Sequence, residues 1–258
     1  MGSGYKSLIP GLVSATFRSK STAEILKICE KTAIRAIEWS ENAHVQTGGG
    51  RHTTELAGQT ADAGLEVAAY GSYYRLGTPD NIDAFKSSLE SAHALGAPII
   101  RVWAGEKASQ EISDNEFALI ADEAHKIATL AEPAGVKVAF EWHRNTLTDT
   151  NKSGISLIKA ANHPNIYSLW QPTAALSEDE RCDGIRLLGD RLLNLHVYYW
   201  PEGKRAALAE GESSWQSYFD CLDTTHNRYA LLEFVKDDSE EQFLDDAHTL
   251  CNWLKTGC

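Results

Sequence analysis

Eight short apolar runs, rich in β-branched and aromatic residues, recur along the 258-residue chain, and each is followed by a segment of helical periodicity. They are GLVSATF (11–17), AIRAIEWS (33–40), LEVAAYGS (65–72), APIIRVWA (97–104), VKVAFEWH (136–143), NIYSLWQ (165–171), LLNLHVYYW (192–200) and YALLEFV (229–235). A strand that shows one face to water alternates apolar and polar residues. A strand buried on both faces reads as an almost unbroken apolar run. Runs of the second kind, separated by helices, specify a parallel sheet with helices packed outside it.

The intervening segments carry their own start and stop signals. Ser21–Glu24, Ser177–Glu180 and Ser239–Gln242 fit the capping box, in which a helix-start Ser and a Glu or Gln three residues on satisfy each other's backbone N–H groups. AGLEV (63–67), LGAPI (95–99) and AGVKV (134–138) each put a glycine just after a helix and just before a strand. An open sheet that holds a dinucleotide would show G-x-G-x-x-G after its first strand, and the sequence has none. The glycine triplet 48–50 reads as a turn rather than a phosphate cradle. Eight strand-then-helix units in this length predict the α/β class and a single-domain (β/α)8 TIM barrel over residues 1–258.

The chain carries 24 Lys and Arg against 36 Asp and Glu, a net charge of −12. Such a surface repels a phosphate backbone, and no basic cluster interleaved with aromatics offsets it, so nucleic acid is not expected as a partner. No dense Lys/Arg cluster marks a phosphate site at the strand ends, which points to a small, unphosphorylated substrate. No apolar run reaches the roughly 18–20 residues that span a bilayer, so no membrane partner is expected, and MGSGYKSLIP lacks the apolar stretch of a secretory leader. The five cysteines (29, 182, 221, 251, 258) form no C-x-x-C pair and read as thiols of a cytoplasmic protein.

In such a barrel the C-terminal strand ends and the loops after them build the active site. The fifth run ends in Glu141 and His143, two apart and therefore on one side. The sixth ends in Gln171, followed by Pro172, which has no N–H for the ladder. The seventh carries His196 and Tyr198, and the eighth carries Glu233. A carboxylate in an apolar strand costs on the order of several kcal/mol unless it is paired or holds a metal. An ion pair with Arg101 is one solution. Four adjacent strands that each send an oxygen or nitrogen donor to one mouth favour the other: Glu141, Gln171, His196 and Glu233 as ligands of a divalent metal. The donors suit Mn²⁺ first, then Mg²⁺ or Co²⁺, and the lack of a thiolate argues against structural zinc.

Around them, Glu38 is a candidate contact for sugar hydroxyls and Arg101 for a substrate oxygen. Trp103 and Tyr198 are candidate walls for a substrate's apolar face. His143 is a candidate proton carrier near neutral pH. Tyr73, Tyr74 and Arg75 read as the start of the loop after the third strand, and His44 and His52 as solvated loop residues.

At these residues the chain resembles the sugar phosphate isomerase/epimerase family of xylose-isomerase-like TIM barrels, over essentially its whole length from GLVSATF to EFVKDD. The resemblance implies a divalent metal held by Glu, Asp, His and Glu at the ends of strands five to eight. Glu141 matches the first Glu, His196 the His and Glu233 the last Glu, whereas Gln171 stands where the Asp usually is. It implies an isomerase or epimerase of a keto-sugar or related polyol, with Glu141 and Glu233 as the acid/base pair acting through an enediolate. Homodimers or larger homo-oligomers are common to the family. Gln in place of Asp removes one negative charge from the ligand set, which strengthens the metal as a Lewis acid and weakens its binding. A metal-dependent lyase on the same scaffold is therefore the alternative, by β-elimination from a 3-keto-sugar or keto-glycoside, or by inosose dehydration. A non-catalytic sugar-binding barrel is more remote. An apurinic endonuclease, which needs further zinc ligands and a basic face, is more remote still.

Overall fold

The computed structural model describes Tyr5 and residues 7–78, 81–223 and 225–255. Eight strands, β1 (Leu8–Val13), β2 (Ala36–Ser40), β3 (Glu66–Arg75), β4 (Ile99–Trp103), β5 (Lys137–Glu141), β6 (Ile166–Trp170), β7 (Leu192–Val197) and β8 (Arg228–Leu232), pair in parallel in chain order. β8 pairs back onto β1, so the sheet has no open edge. The helices outside it are α1 (Thr22–Cys29), α2 (Arg51–Asp62), α3 (Ile82–Ala94), α4 (Asp114–Ala131), α5 (Asn151–Ala161), α6 (Glu178–Leu188), α7 (Glu212–Asp220) and α8 (Glu240–Leu254). This is the TIM barrel that the eight runs predict.

Each run overlaps a strand, with two shifts of boundary. β1 starts earlier than its run, and Ser14–Phe17 tightens into a 3-10 turn. β3 continues to Arg75, so Tyr73 and Tyr74 lie on the strand instead of a following loop, with Tyr74 packed edge-on against Phe85. The capping boxes at Ser21 and Ser177 are complete, and an unanticipated one at Ser113 starts α4. At α8 only half forms, because the Gln242 amide donates to Asp246 instead. Gly64, Gly96 and Gly135 sit at φ 72°, 70° and 68°, the left-handed region their helix ends require.

The main core fills the ring between strands and helices, with Phe85, Trp142, Trp170, Trp215 and Phe243 fully buried. Ile99, Ala139 and Leu169 form a separate apolar layer inside the barrel with Ala69. One alternation step further along β4, β5 and β6 come Arg101, Glu141 and Gln171, so the polar residues lie immediately above an apolar floor. His44 is half-buried rather than solvated. Its Nδ1 meets Ser14 Oγ at 2.9 Å, and its Nε2 lies 3.2 and 3.1 Å from the Phe17 and Lys20 carbonyls. Cys29, Cys182, Cys221 and Cys251 are in no disulfide; Cys258 lies outside the described residues. Among the described residues no helix is long and apolar enough to cross a membrane.

Candidate metal centre and active site

Glu38, Arg101, Glu141, Gln171, His196 and Glu233 are all buried at the C-terminal end of the barrel. Glu141 is the last residue of β5, and Gln171 and Glu233 each follow the last residue of their strand. Arg101 ties two of the carboxylates together. Its Nε donates to Glu38 Oε1 at 3.0 Å, and its other arm donates to Glu141 Oε2, which also accepts from the Trp103 indole N–H. Glu38 and Arg101 come from β2 and β4 and meet across β3, whose residue at that level is Gly71. A Cβ there would lie 2.5 Å from Glu38 Oε1 and 2.8 Å from the guanidinium, so glycine leaves the space the ion pair fills.

His196 connects this pair to the remaining carboxylate. Its Nε2–H donates to Glu38 Oε2 at 3.2 Å, since an ionised carboxylate can only accept. The opposite nitrogen, Nδ1, faces Glu233 Oε2 at 3.4 Å and Glu141 Oε1 at 3.8 Å and hydrogen-bonds to neither. Ligand atoms of Glu141, His196 and Glu233 all lie within 4.8 Å of one another. Among the described residues this is the one such cluster.

The electrostatics explain what the cluster can hold. Burial disfavours ionised Glu141, but Arg101, then His196, His143 and the Trp103 N–H outweigh it and bring its carboxyl down to about 2. Burial likewise opposes the charge of Glu38, and His196 and Arg101 hold it lowered all the same. For His196 burial disfavours the imidazolium, yet the Glu233 and Glu38 carboxylates raise it well above the ordinary range. Anionic oxygens thus converge on one nitrogen and favour positive charge between them. A divalent cation fits this donor set, with Glu141, His196 and Glu233 as ligands and Glu38 as the carboxylate that orients the histidine from behind.

The sequence-predicted residues fall at different depths. Glu38 has no exposed surface, and its two oxygens are occupied by Arg101 and His196, so it lies at the base of the site. Gln171 reaches the cluster but presents its amide nitrogen, which donates to Glu141 Oε1 at 3.1 Å. A carboxylate neighbour selects the N–H end of an amide, so Gln171 meets Glu141 through its nitrogen. Above the cluster opens a cavity of about 520 Å³, lined among others by Arg101, Trp103, His143, Tyr198, Glu141 and Glu233. His143 Nδ1–H donates to the Arg144 carbonyl at 2.6 Å, and the ring stacks on Trp103 at 5.5 Å between centroids. A neutral His143 therefore keeps its Nε2 lone pair free. The Tyr198 hydroxyl donates to the Pro172 carbonyl at 3.3 Å.

Sequence reasoning placed Trp200 in the core or the pocket wall and missed other wall residues, Thr173 first among them. Thr173 Oγ1 and Trp200 Nε1 are buried on this wall without a hydrogen-bond partner. The fold also brings four arginines to the cavity, Arg18, Arg101, Arg144 and Arg181, although no basic cluster is visible at the strand ends. They are scattered in sequence: Arg101 stood out inside an apolar strand, and of the other three only Arg144, adjacent to His143, carried a local signal.

The family model of the xylose isomerase-like TIM barrel matches residues 26–256. The chain belongs to this family. Among solved structures, a probable 3-DHS dehydratase of petrobactin synthesis from Bacillus anthracis is similar, with 20% identity, a TM-score of 0.79 and coverage of 95% of this chain and 99% of that one. An L-ribulose 3-epimerase is similar at 15% identity and a TM-score of 0.72, covering 96% of this chain and 94% of that one. The IolI protein with a bound zinc atom is similar at 15% identity and a TM-score of 0.72, covering 96% and 98%. At these identities the likeness is one of fold. No curated protein matches the sequence. The xylose isomerase-like barrel thus houses epimerases and a dehydratase alike, and what this member does has to be argued from its own site.

Proposed function

We propose that this protein is a divalent-metal-dependent enzyme that removes a proton beside the carbonyl of a keto-sugar or related keto-polyol. The observation that carries this reading is the convergence of Glu141, Glu233 and the unpartnered His196 Nδ1 at the base of an open cavity. Mn²⁺ suits these donors first, Mg²⁺ or Co²⁺ next, and such an ion would polarise the substrate's ketone and neighbouring hydroxyl. Glu141, Glu233 and His196 would hold it, Trp103 and Tyr198 would flank the sugar, and Glu233 and His143 would move protons.

The outcome of the deprotonation is an isomerisation or epimerisation in one reading and an elimination in the other. Epimerisation between two glutamates requires each to act in turn as acid. Glu141 accepts from Arg101, Trp103 and Gln171, and its carboxyl at about 2 opposes that turn. Among the described residues Glu233 has a single ion-pair contact, with His196, and His143 makes its hydrogen bond through Nδ1 and leaves Nε2 open. That asymmetry favours one base on one face with His143 as second proton carrier, which suits the loss of a hydroxyl or aglycone better than two-base epimerisation.

The test is turnover in D₂O with metal-reconstituted protein and a set of ketohexoses, 3-keto-sugars and inososes. Deuterium at the carbon beside the carbonyl, abolished by a chelator, is the expected result. A product lighter by one water, or lacking its aglycone, identifies the lyase, and an unchanged mass with altered stereochemistry identifies the epimerase. Metal binding with neither exchange nor elimination on any of these compounds would overturn the reading.

A further inference from the structure

Arg101 is neutralised by Glu38 and Glu141. The other arginines of the cavity are not. Among the described residues Arg181 and Arg144 have no carboxylate within ion-pair distance, although the chain carries twelve more acidic than basic residues, 36 against 24. Arg181, half-buried on α6, is held in place by neutral groups only. Its Nε donates to the Thr173 carbonyl at 3.1 Å and its NH1 to the Tyr218 hydroxyl at 3.1 Å. A guanidinium has five N–H donors, so three are left over. Glu178, one turn earlier on the same helix and on the same cavity wall, accepts from Ser214 instead of turning to Arg181.

Two further observations locate the spare charge. The buried Thr173 Oγ1, on the segment Arg181 grips, has no partner. Arg144, Arg181, Thr173 and Tyr198 line one cavity, and both guanidinium groups act on the Tyr198 hydroxyl, pulling it down against burial, Glu233 and Glu141, which push it up.

We propose that the substrate of this site carries an anionic oxygen group, a carboxylate or a phosphate, held by Arg181 and Arg144 with the Thr173 hydroxyl. A planar guanidinium fixed by its Nε side presents its remaining N–H groups to such an oxyanion, and the hydroxyl supplies one more donor. A carboxylate would agree with the expectation of an unphosphorylated substrate, and a phosphate would replace it. The anionic group deepens the proposed function and rests on that reading for the choice of a polyol skeleton beside it.

The experiment compares three probes of similar skeleton by calorimetry on the metal-loaded protein: glucitol, gluconate and glucitol 6-phosphate. One or both anions should bind about tenfold or more tightly than glucitol, the scale of charge-assisted hydrogen bonds. The preferred anion tells carboxylate from phosphate. Arg181→Gln and Arg144→Gln should each reduce that preference while metal affinity stays the same. If Arg181→Gln fails to fold, exposed Arg144, whose side chain makes no hydrogen bond or ion pair among the described residues, decides the matter. Equal binding of all three probes would overturn the proposal. So would a preference that survives in both variants, because it would then come from chelation of the metal. An anion preference without deuterium exchange on any keto compound would leave this site standing and remove the enolisation; exchange without a preference would do the reverse.

Discussion

Arg228 and Arg181 sit at opposite ends of the molecule and are used in opposite ways. Arg228 opens β8 at the bottom of the barrel, and its side chain makes five hydrogen bonds. They go to the carbonyls of Leu192, Asp223, His226 and Gly189 and to the Asp223 carboxylate. Every N–H is satisfied, and nothing further can bind. At the mouth Arg181 uses two donors, His196 Nδ1 makes no hydrogen bond, and neither does Thr173 Oγ1. Both ends bury charged side chains, Arg228 at the bottom and Glu38, Arg101, Glu141 and Glu233 at the mouth. What marks a place for a ligand is therefore the unfilled valence, since a saturated charge has no hydrogen-bonding group left to offer one.

The strongest way to break this comparison is to mutate one end and read the property assigned to the other. Glu233→Gln should reduce turnover by about 10²–10⁴-fold, the range for a positioned proton-transfer group, with a melting temperature close to the parent's. Arg228→Leu should instead lower stability by about 3 kcal/mol, because four carbonyls and a carboxylate lose their donor. In a chain of this size that is about 2–4 °C in Tm per kcal/mol, with turnover per folded molecule retained. Loss of both properties in both variants would erase the distinction.

A smaller effect sharpens the comparison within the mouth itself. Glu38 is buried and saturated like Arg228, yet it orients His196, so it belongs to the fold and the site together. Glu38→Gln leaves an amide between His196 Nε2 and Arg101 Nε, and its NH₂ end must face one of those two donors. Metal affinity, read by calorimetric titration, should fall about 10–100-fold, the usual scale for a group behind a metal-ligating histidine. An unchanged affinity would make Glu38 a purely structural partner of Arg101.

The same contrast explains what the sequence revealed. Strands buried on both faces leave an apolar signature that no other element shares over eight repeats, and the barrel was legible for that reason. Glu141, His196 and Glu233 stood out because charge in an apolar strand conflicts with its surroundings. Depth and hydrogen-bond polarity were not legible. Nothing in IEWS says that both Glu38 oxygens are already occupied, and nothing in SLWQP says that Glu141 would turn the Gln171 amide nitrogen toward itself. Arg181 begins among Ser177, Glu178, Asp179 and Glu180 and reads as solvated helix surface. Only closure of the barrel brings it over Thr173.

The smallest expected effect tests whether the bottom arginine depends on its one charged partner. Hydrogen bonds from the Thr225 hydroxyl and backbone N–H, then from Arg228, hold the Asp223 carboxyl at about 2. Because the folded value lies below the ordinary 3.8, the stabilisation is fully present above 3.8 and is lost as the pH falls toward about 2. The Asp223 side chain is 34% exposed, so solvent screening keeps the contribution below about 1 kcal/mol. Asp223→Asn should therefore cost far less than Arg228→Leu at neutral pH, and denaturant midpoints of variant and parent should converge on acidification through that window. Convergence would mean that Arg228 is held chiefly by carbonyls, which do not titrate. A loss in Asp223→Asn as large as that of Arg228→Leu, persisting at low pH, would show that the ion pair and not the saturated donor set makes the bottom of the barrel rigid.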